Sequence, residues 1–254
     1  MMIDNRQRTK ANVALDITVV RGLTVTPTFK YQNDDYGVNP LTQEGLSNSS
    51  STSAGVDVTY LFNPDTSFMV GYMNEHYHQL LYGLSSTSNT AVLGVGGVYS
   101  ANTGDSSTVH TLTAAVRWAA IPSKLDLGLR YSASYGTDAE RLNLATAANN
   151  GNPTCPATMA PQTNCQFPDV TTWFQRLDAT AVYTFDQDLV RRAGLTGQVR
   201  AKLRYTWERN SVVNWQNDPL APYSPIVSTQ GIWLASDNPN YNAHMLAASL
   251  SYTW

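Results

Sequence analysis

Hydrophobic and polar residues alternate with a period of two along most of this chain, most clearly between residues 195 and 209. There Leu195, Gly197, Val199, Ala201, Leu203, Tyr205 and Trp207 point one way, and Thr196, Gln198, Arg200, Lys202, Arg204, Thr206 and Glu208 point the other. The pattern recurs near residues 9–20, 23–32, 52–62, 67–78, 108–119, 124–135, 171–185 and 241–254, which makes nine predicted strands. Strands of soluble proteins average roughly five or six residues, whereas a tilted strand needs about 9–11 to cross a bilayer. Most of these segments have the second length.

The connections are sorted by size. In chain order they are VRG around Arg21, a long loop over 33–52, FNPDT around Pro64, a long loop over 80–107, IPSK around Pro122, a long loop over 136–170, the turn DQDLVRRAG, and a long loop over 210–240. Strict alternation of short and long is the habit of transmembrane barrels, whose periplasmic turns are tight and whose external loops are long. The last strand then runs inward and places Trp254 at the periplasmic interface, a depth that favours aromatic side chains. Composition agrees: mean hydropathy is -0.28, and no apolar run approaches the roughly 18 residues of a membrane helix. A strand shows lipid only its alternate residues. The expected fold is therefore all-β, a transmembrane antiparallel up-and-down β-barrel in the bacterial outer membrane.

Strand parity extends the expectation. Nine strands with an inward-running last strand make the first strand inward-running too, although single-chain bacterial barrels have an even strand number. The opening MMIDNRQRTK lacks the apolar core of a signal peptide. Residues 1–254 are thus expected to supply the C-terminal part, about nine strands, of one larger barrel domain.

Charge sharpens the faces. The formal net charge is -3 with 14% charged residues, and the absence of a basic stripe excludes a nucleic-acid partner. The charges that do occur in strands share the polar side: Arg200, Lys202 and Arg204; Asp126 and Arg130, opposed to Leu125, Leu127, Leu129, Tyr131 and Tyr135; Arg176 and Asp178, opposed to Leu177, Ala179, Ala181, Tyr183 and Phe185; and Asp16 and Lys30 in the first two strands. A cation facing lipid at mid-depth costs about 2–4 kcal/mol, so all nine are predicted to face the lumen. Two readings stay open. The charges pair across strands and line a channel, or they contact something held inside, for which Arg200, Lys202 and Arg204 would suit carboxylates such as haem propionates.

Other candidate chemistry is sparse. His76 and His78 share one face near an external strand end and read as interface residues rather than metal ligands. The stretch GLSSTSNTAVLGVGGVYSANTG lacks the spacing of a phosphate loop and reads as an external loop. No nucleophile–base pair or paired carboxylates stand out, so no enzyme is expected. Cys155 and Cys165, nine residues apart in a Pro-, Asn- and Thr-rich segment, are expected to form a loop disulfide in an oxidising compartment. Neither begins a C-x-x-C-H, so no covalently attached haem or other cofactor is expected in this chain.

The segment NRQRTKANVALDITVVRGLTVTPTFKYQNDDYGVNP, with Arg-x-Arg-Thr-Lys at a strand start, resembles later strands of the MtrB/PioB family of outer-membrane barrels, and the closing aromatic strand SYTW is similar too. The resemblance implies a large barrel of more than about twenty strands, without catalytic residues. Such a barrel sheathes a periplasmic decahaem c-type cytochrome that carries electrons across the outer membrane, and an extracellular multihaem cytochrome is a second implied partner. An ordinary diffusion porin is the alternative, and an outer-membrane enzyme with loop-borne catalytic groups a third.

Overall fold

The computed structural model describes residues 6–37, 45–87, 97–145, 169–192, 194, 196–214 and 240–253. They form one antiparallel sheet of ten strands: β1 (Gln7–Ala14), β2 (Ile17–Val20), β3 (Leu23–Asp35), β4 (Gly45–Asn63), β5 (Thr66–Thr87), β6 (Gly97–Ile121), β7 (Leu125–Ala145), β8 (Val170–Thr184), β9 (Gln198–Val213) and β10 (Tyr241–Thr253). A short helix α1 (Gln187–Arg192) sits in the turn between β8 and β9. Spatial order follows chain order from β3 to β10, with β1 and β2 both paired to β3. This is an up-and-down meander. Among the described residues β1 and β10 do not pair with each other, so the sheet is open at two edges.

The first predicted strand is two pieces. β1 and β2 keep one register against β3, with Ala14 opposite Thr28 and Ile17 opposite Val25. Between them Leu15 donates its N–H to the Pro27 carbonyl at 3.2 Å. Proline has no N–H to return, so the ladder loses a bond there. This turns nine predicted segments into ten strands. The tight turn that follows needs Gly22, with φ of 85° and a neighbouring Leu61 carbonyl oxygen only 2.7 Å from where a Cβ would stand. Either feature alone favours glycine.

Strands β4 to β7 run well past the predicted bounds at their long-loop ends. Pairing of β5 with β6 continues to Thr87 opposite Gly97, and of β6 with β7 to Ser100 opposite Ala145. The predicted loops over 33–52, 80–107 and 136–170 are therefore partly strand. Their residues are mostly Ser, Thr, Asn, Gly and Asp. Outside a bilayer neither face must be apolar, so backbone pairing continues without alternation.

Burial separates the faces. Cross-strand partners share a face, and the row Phe68, Val116, Leu129, Ala179, Tyr205, Leu246 runs through six strands without a charge. Most of the large hydrophobic side chains on this face are solvent-accessible, Leu246 and Leu250 both at 71%. The few buried polar side chains, Asp34, Thr113 and Thr206, lie on the opposite face. A soluble domain would bury the first set and expose the second. The inversion is what a sheet bathed in hydrocarbon on its apolar side requires.

Candidate functional site

The polar face of β6 to β9 bounds a trough of about 760 Å³. Its charged lining is Arg117, Arg130, Arg176, Lys202 and Arg204 against Asp126 and Asp178, five cations to two carboxylates. Alternation puts these side chains in the trough, and register sets their neighbours. Arg130 stands opposite Asp178, Asp178 opposite Thr206, Arg176 opposite Glu208, and Lys202 opposite Val182. Gly128, opposite Thr180 and Arg117, leaves the floor open where any side chain would project.

Asp178 is the hub of a closed network. One carboxylate oxygen accepts from Arg204 Nη2 at 2.6 Å and Nε at 3.1 Å, from Arg176 Nη2 at 3.2 Å and from Thr206 Oγ1 at 2.8 Å. The other accepts from Arg176 Nε at 2.7 Å. Arg176 Nη1 then reaches Glu208 at 3.1 Å. Two forked guanidiniums and a hydroxyl converge on this one carboxylate, four of the five contacts on a single oxygen. Arg130, although directly opposite, makes no ion pair with Asp178. It, Arg200 and Lys202 are all exposed and make no ion pair with any described carboxylate. Arg117 is intermediate, 3.7 Å from Asp126 with both side chains largely solvated, a geometry that contributes little.

A second cluster occupies the polar face at the long-loop end of β1 and β3. The Asp34 carboxylate, nearly fully buried, takes a forked contact from Arg8 and a 2.9 Å bond from Gln32 Nε2, with Arg6 at 4.0 Å. Lower down, Lys10, Asn12, Lys30 and Glu75 line a pocket of about 190 Å³, and Tyr77 donates to Glu75 at 3.3 Å.

Each of the nine charged residues singled out from sequence stands on this polar face. Asp16 accepts from Thr26 Oγ1 at 2.7 Å near the tight-turn end, and Lys30 lies in the smaller pocket. The structure brings Arg176, Asp178 and Arg204 into contact with one another. It leaves Asp126 beside Arg117, and gives Arg130, Arg200 and Lys202 no carboxylate partner. The face also holds Arg117, Arg8, Asp34, Glu75 and Glu208, which the sequence reading did not single out. Alternation alone marks Arg117, since it shares parity with Thr111, Thr113 and Ala115 and opposes Leu112, Val116 and Trp118. Cys155 and Cys165, the closing Trp254 and the tip of the glycine-rich stretch lie outside the described residues.

His76 and His78 lie on the apolar face, opposite Thr108 and Ser106 of β6. Among the described residues no group of three or more metal-ligating side chains comes together.

The model of the MtrB/PioB family, outer membrane beta-barrel porins, matches residues 2–254. No curated protein matches the chain. Among solved structures, the crystal structure of BauA, the ferric preacinetobactin receptor from Acinetobacter baumannii, is similar with a TM-score of 0.50 at 12% identity, over 96% of this chain and 37% of that one. At that identity the likeness is one of fold. The chain spans well under half the length of the barrel it resembles.

Proposed function

Because the chain belongs to the MtrB/PioB family of outer-membrane β-barrel porins, we propose that it forms part of a sheath around a multihaem c-type cytochrome, through which electrons cross the bacterial outer membrane. One observation carries the reading: a lumen wall on which no described carboxylate neutralises Arg130 and Lys202, in a trough with a surplus of positive charge, or Arg200 on the same face nearer the tight turn. A channel wall that only needed solvating could pair its charges throughout, as the Asp178 cluster does. Unpaired cations suit an acidic occupant, and haem propionates and surface carboxylates are of that class.

The mechanism is exclusion. Hydrocarbon tolerates neither free peptide groups nor carboxylates, so the barrel supplies a polar bore through an apolar layer. The occupant conducts and the wall insulates. On this reading the chain carries no cofactor and performs no catalysis. The outer surface of the extended hairpins would then meet any extracellular multihaem partner.

The test is reconstitution of the full-length barrel in liposomes enclosing a redox dye, with an impermeant reductant outside. The barrel alone is expected to leave the dye oxidised, and the barrel co-purified with its cytochrome to reduce it. A barrel that binds no cytochrome and passes small sugars or ions at porin rates overturns the proposal in favour of simple diffusion.

A further inference from the structure

All four histidines of the chain stand on the apolar face, although nothing in polar chemistry favours that side. His76 and His78 are on β5, His110 on β6 and His244 on β10, opposite Thr108, Ser106, Tyr135 and Trp207 respectively. Counted from the tight turns, His76, His110 and His244 lie about ten residues along their strands, which is the length that spans the hydrocarbon. They therefore sit at the external headgroup level, beside Tyr135 and Trp173, whose rings are 6.0 Å apart. Arg209 shares the face and the level, opposite Gln175 and Asn242.

One device is built twice. The Tyr72 hydroxyl lies 2.8 Å from His110 Nδ1, and the Tyr205 hydroxyl 2.8 Å from His244 Nδ1. In each case the tyrosine is on an outward-running strand, and the histidine is on the next, two positions beyond the tyrosine's direct partner, Leu112 or Leu246. Asn74 Nδ2 also reaches His110 Nδ1 at 3.1 Å. An amide NH₂ only donates, so that nitrogen accepts and the ring proton is on Nε2. His76 Nδ1 lies 3.0 Å from Thr108 Oγ1, a hydroxyl that can donate or accept. The protein engages Nδ1 of three rings and leaves Nε2 of each without a described protein partner, for His110 as a hydrogen-bond donor. Among the described side chains of β5, β6, β9 and β10, this face carries no carboxylate.

We propose that these imidazoles, with Arg209, form a belt that binds the phosphate groups of phosphorylated lipid in the outer leaflet. The face abuts lipid, its imidazoles are oriented, no described carboxylate on those four strands competes for them, and phosphates are the anions at that depth. Tyr72 and Tyr205 act as positioning residues, each aiming an imidazole through Nδ1.

The experiment uses the full-length protein in phosphatidylcholine liposomes with or without lipopolysaccharide. Wild type is expected to retain lipopolysaccharide through detergent extraction and to unfold at higher urea when it is present. The variant His76→Gln, His110→Gln, His244→Gln, Arg209→Gln should retain roughly threefold to tenfold less, the range set by losing net hydrogen bonds, and should lose the urea shift. Full retention by the variant overturns the proposal and leaves the rings as interfacial anchors. Equal stabilisation of detergent-solubilised wild type by inorganic phosphate overturns the lipid assignment. If the quadruple variant does not insert, Tyr72→Phe with Tyr205→Phe carries the test: each removes only a hydroxyl, partial loss of lipopolysaccharide supports the belt, and unchanged retention refutes it.

Discussion

Arg200 and Arg204 leave the same face of the same strand one above the other, and their surroundings are opposite. Arg204 is held by Asp178 through both Nε and Nη2, while Arg200 is opposite Thr184 on one side and Ser251 on the other, with no described carboxylate in reach. The difference comes from the neighbours that register supplies. β8 and β9 place their described polar-face carboxylates, Asp178 and Glu208, farther from the tight turn than any of the cations Arg200, Lys202 and Arg204. Nearer that turn, β8 offers Thr180, Val182 and Thr184 to Arg204, Lys202 and Arg200. A run of three cations that reads as one feature is thus two: a structural pair-former at its outer end, and two free charges below.

The comparison can be broken in graded ways. The largest effect is expected from moving a cation to the wrong face: Leu203→Arg, one position from Arg204, should destabilise the membrane-inserted protein by about 2–4 kcal/mol in urea unfolding. Loss of stability no greater than for an outer-rim control such as Val213→Arg would undo the face assignment. Next comes Asp178→Ala, which strands two guanidiniums and a hydroxyl that had one acceptor. A partly exposed, charge-assisted network of this kind should cost roughly 1–3 kcal/mol. An effect within experimental error would mean that water replaces the carboxylate without penalty.

The free cations should behave in the reverse manner. Arg130→Gln, Arg200→Gln and Lys202→Gln together should change unfolding free energy by no more than about 0.5 kcal/mol per site, as for solvated positions elsewhere. The same triple substitution should weaken co-purification with a cytochrome, most visibly at low salt, where screening is least. A complex of undiminished strength would reduce these cations to wall lining. Replacing Arg204 instead mixes the two effects, because it also opens the Asp178 cluster.

The smallest effect is expected at Cys155 and Cys165. Mass spectrometry of non-reduced protein from native membranes should find their peptides joined and lighter by two hydrogens, and reduction should leave barrel unfolding nearly unchanged, since strand pairing rather than the loop holds the sheet together. Free thiols in that material would refute the bridge.

Much of this was readable one residue at a time. A strand between lipid and water must alternate, so the sequence alone determined which residues of 199–208 meet lipid, which of 124–135 do, where the tight turns fall, and that Arg176, Asp178 and Arg204 share a face. That His76 and His78 share one face followed from the same parity, and register against Thr108 and Ser106 made it the apolar one. Where no solvent contrast acts, alternation stops being informative, so the pattern predicts loop for the external extensions of β4 to β7 although backbone pairing continues there. Register was also out of reach, because pairing depends on the partner strand and a local pattern names none. Only the tertiary structure decided that Asp178 would pair with Arg176 and Arg204 and not with Arg130. The same holds for the placing of Tyr72 against His110 and Tyr205 against His244, and for the break between β1 and β2, which lies opposite Pro27 on a different strand. A carboxylate has few lone pairs and a proline has no N–H. Which neighbours share those limits is set by how strands align, and that alignment is a property of the whole sheet.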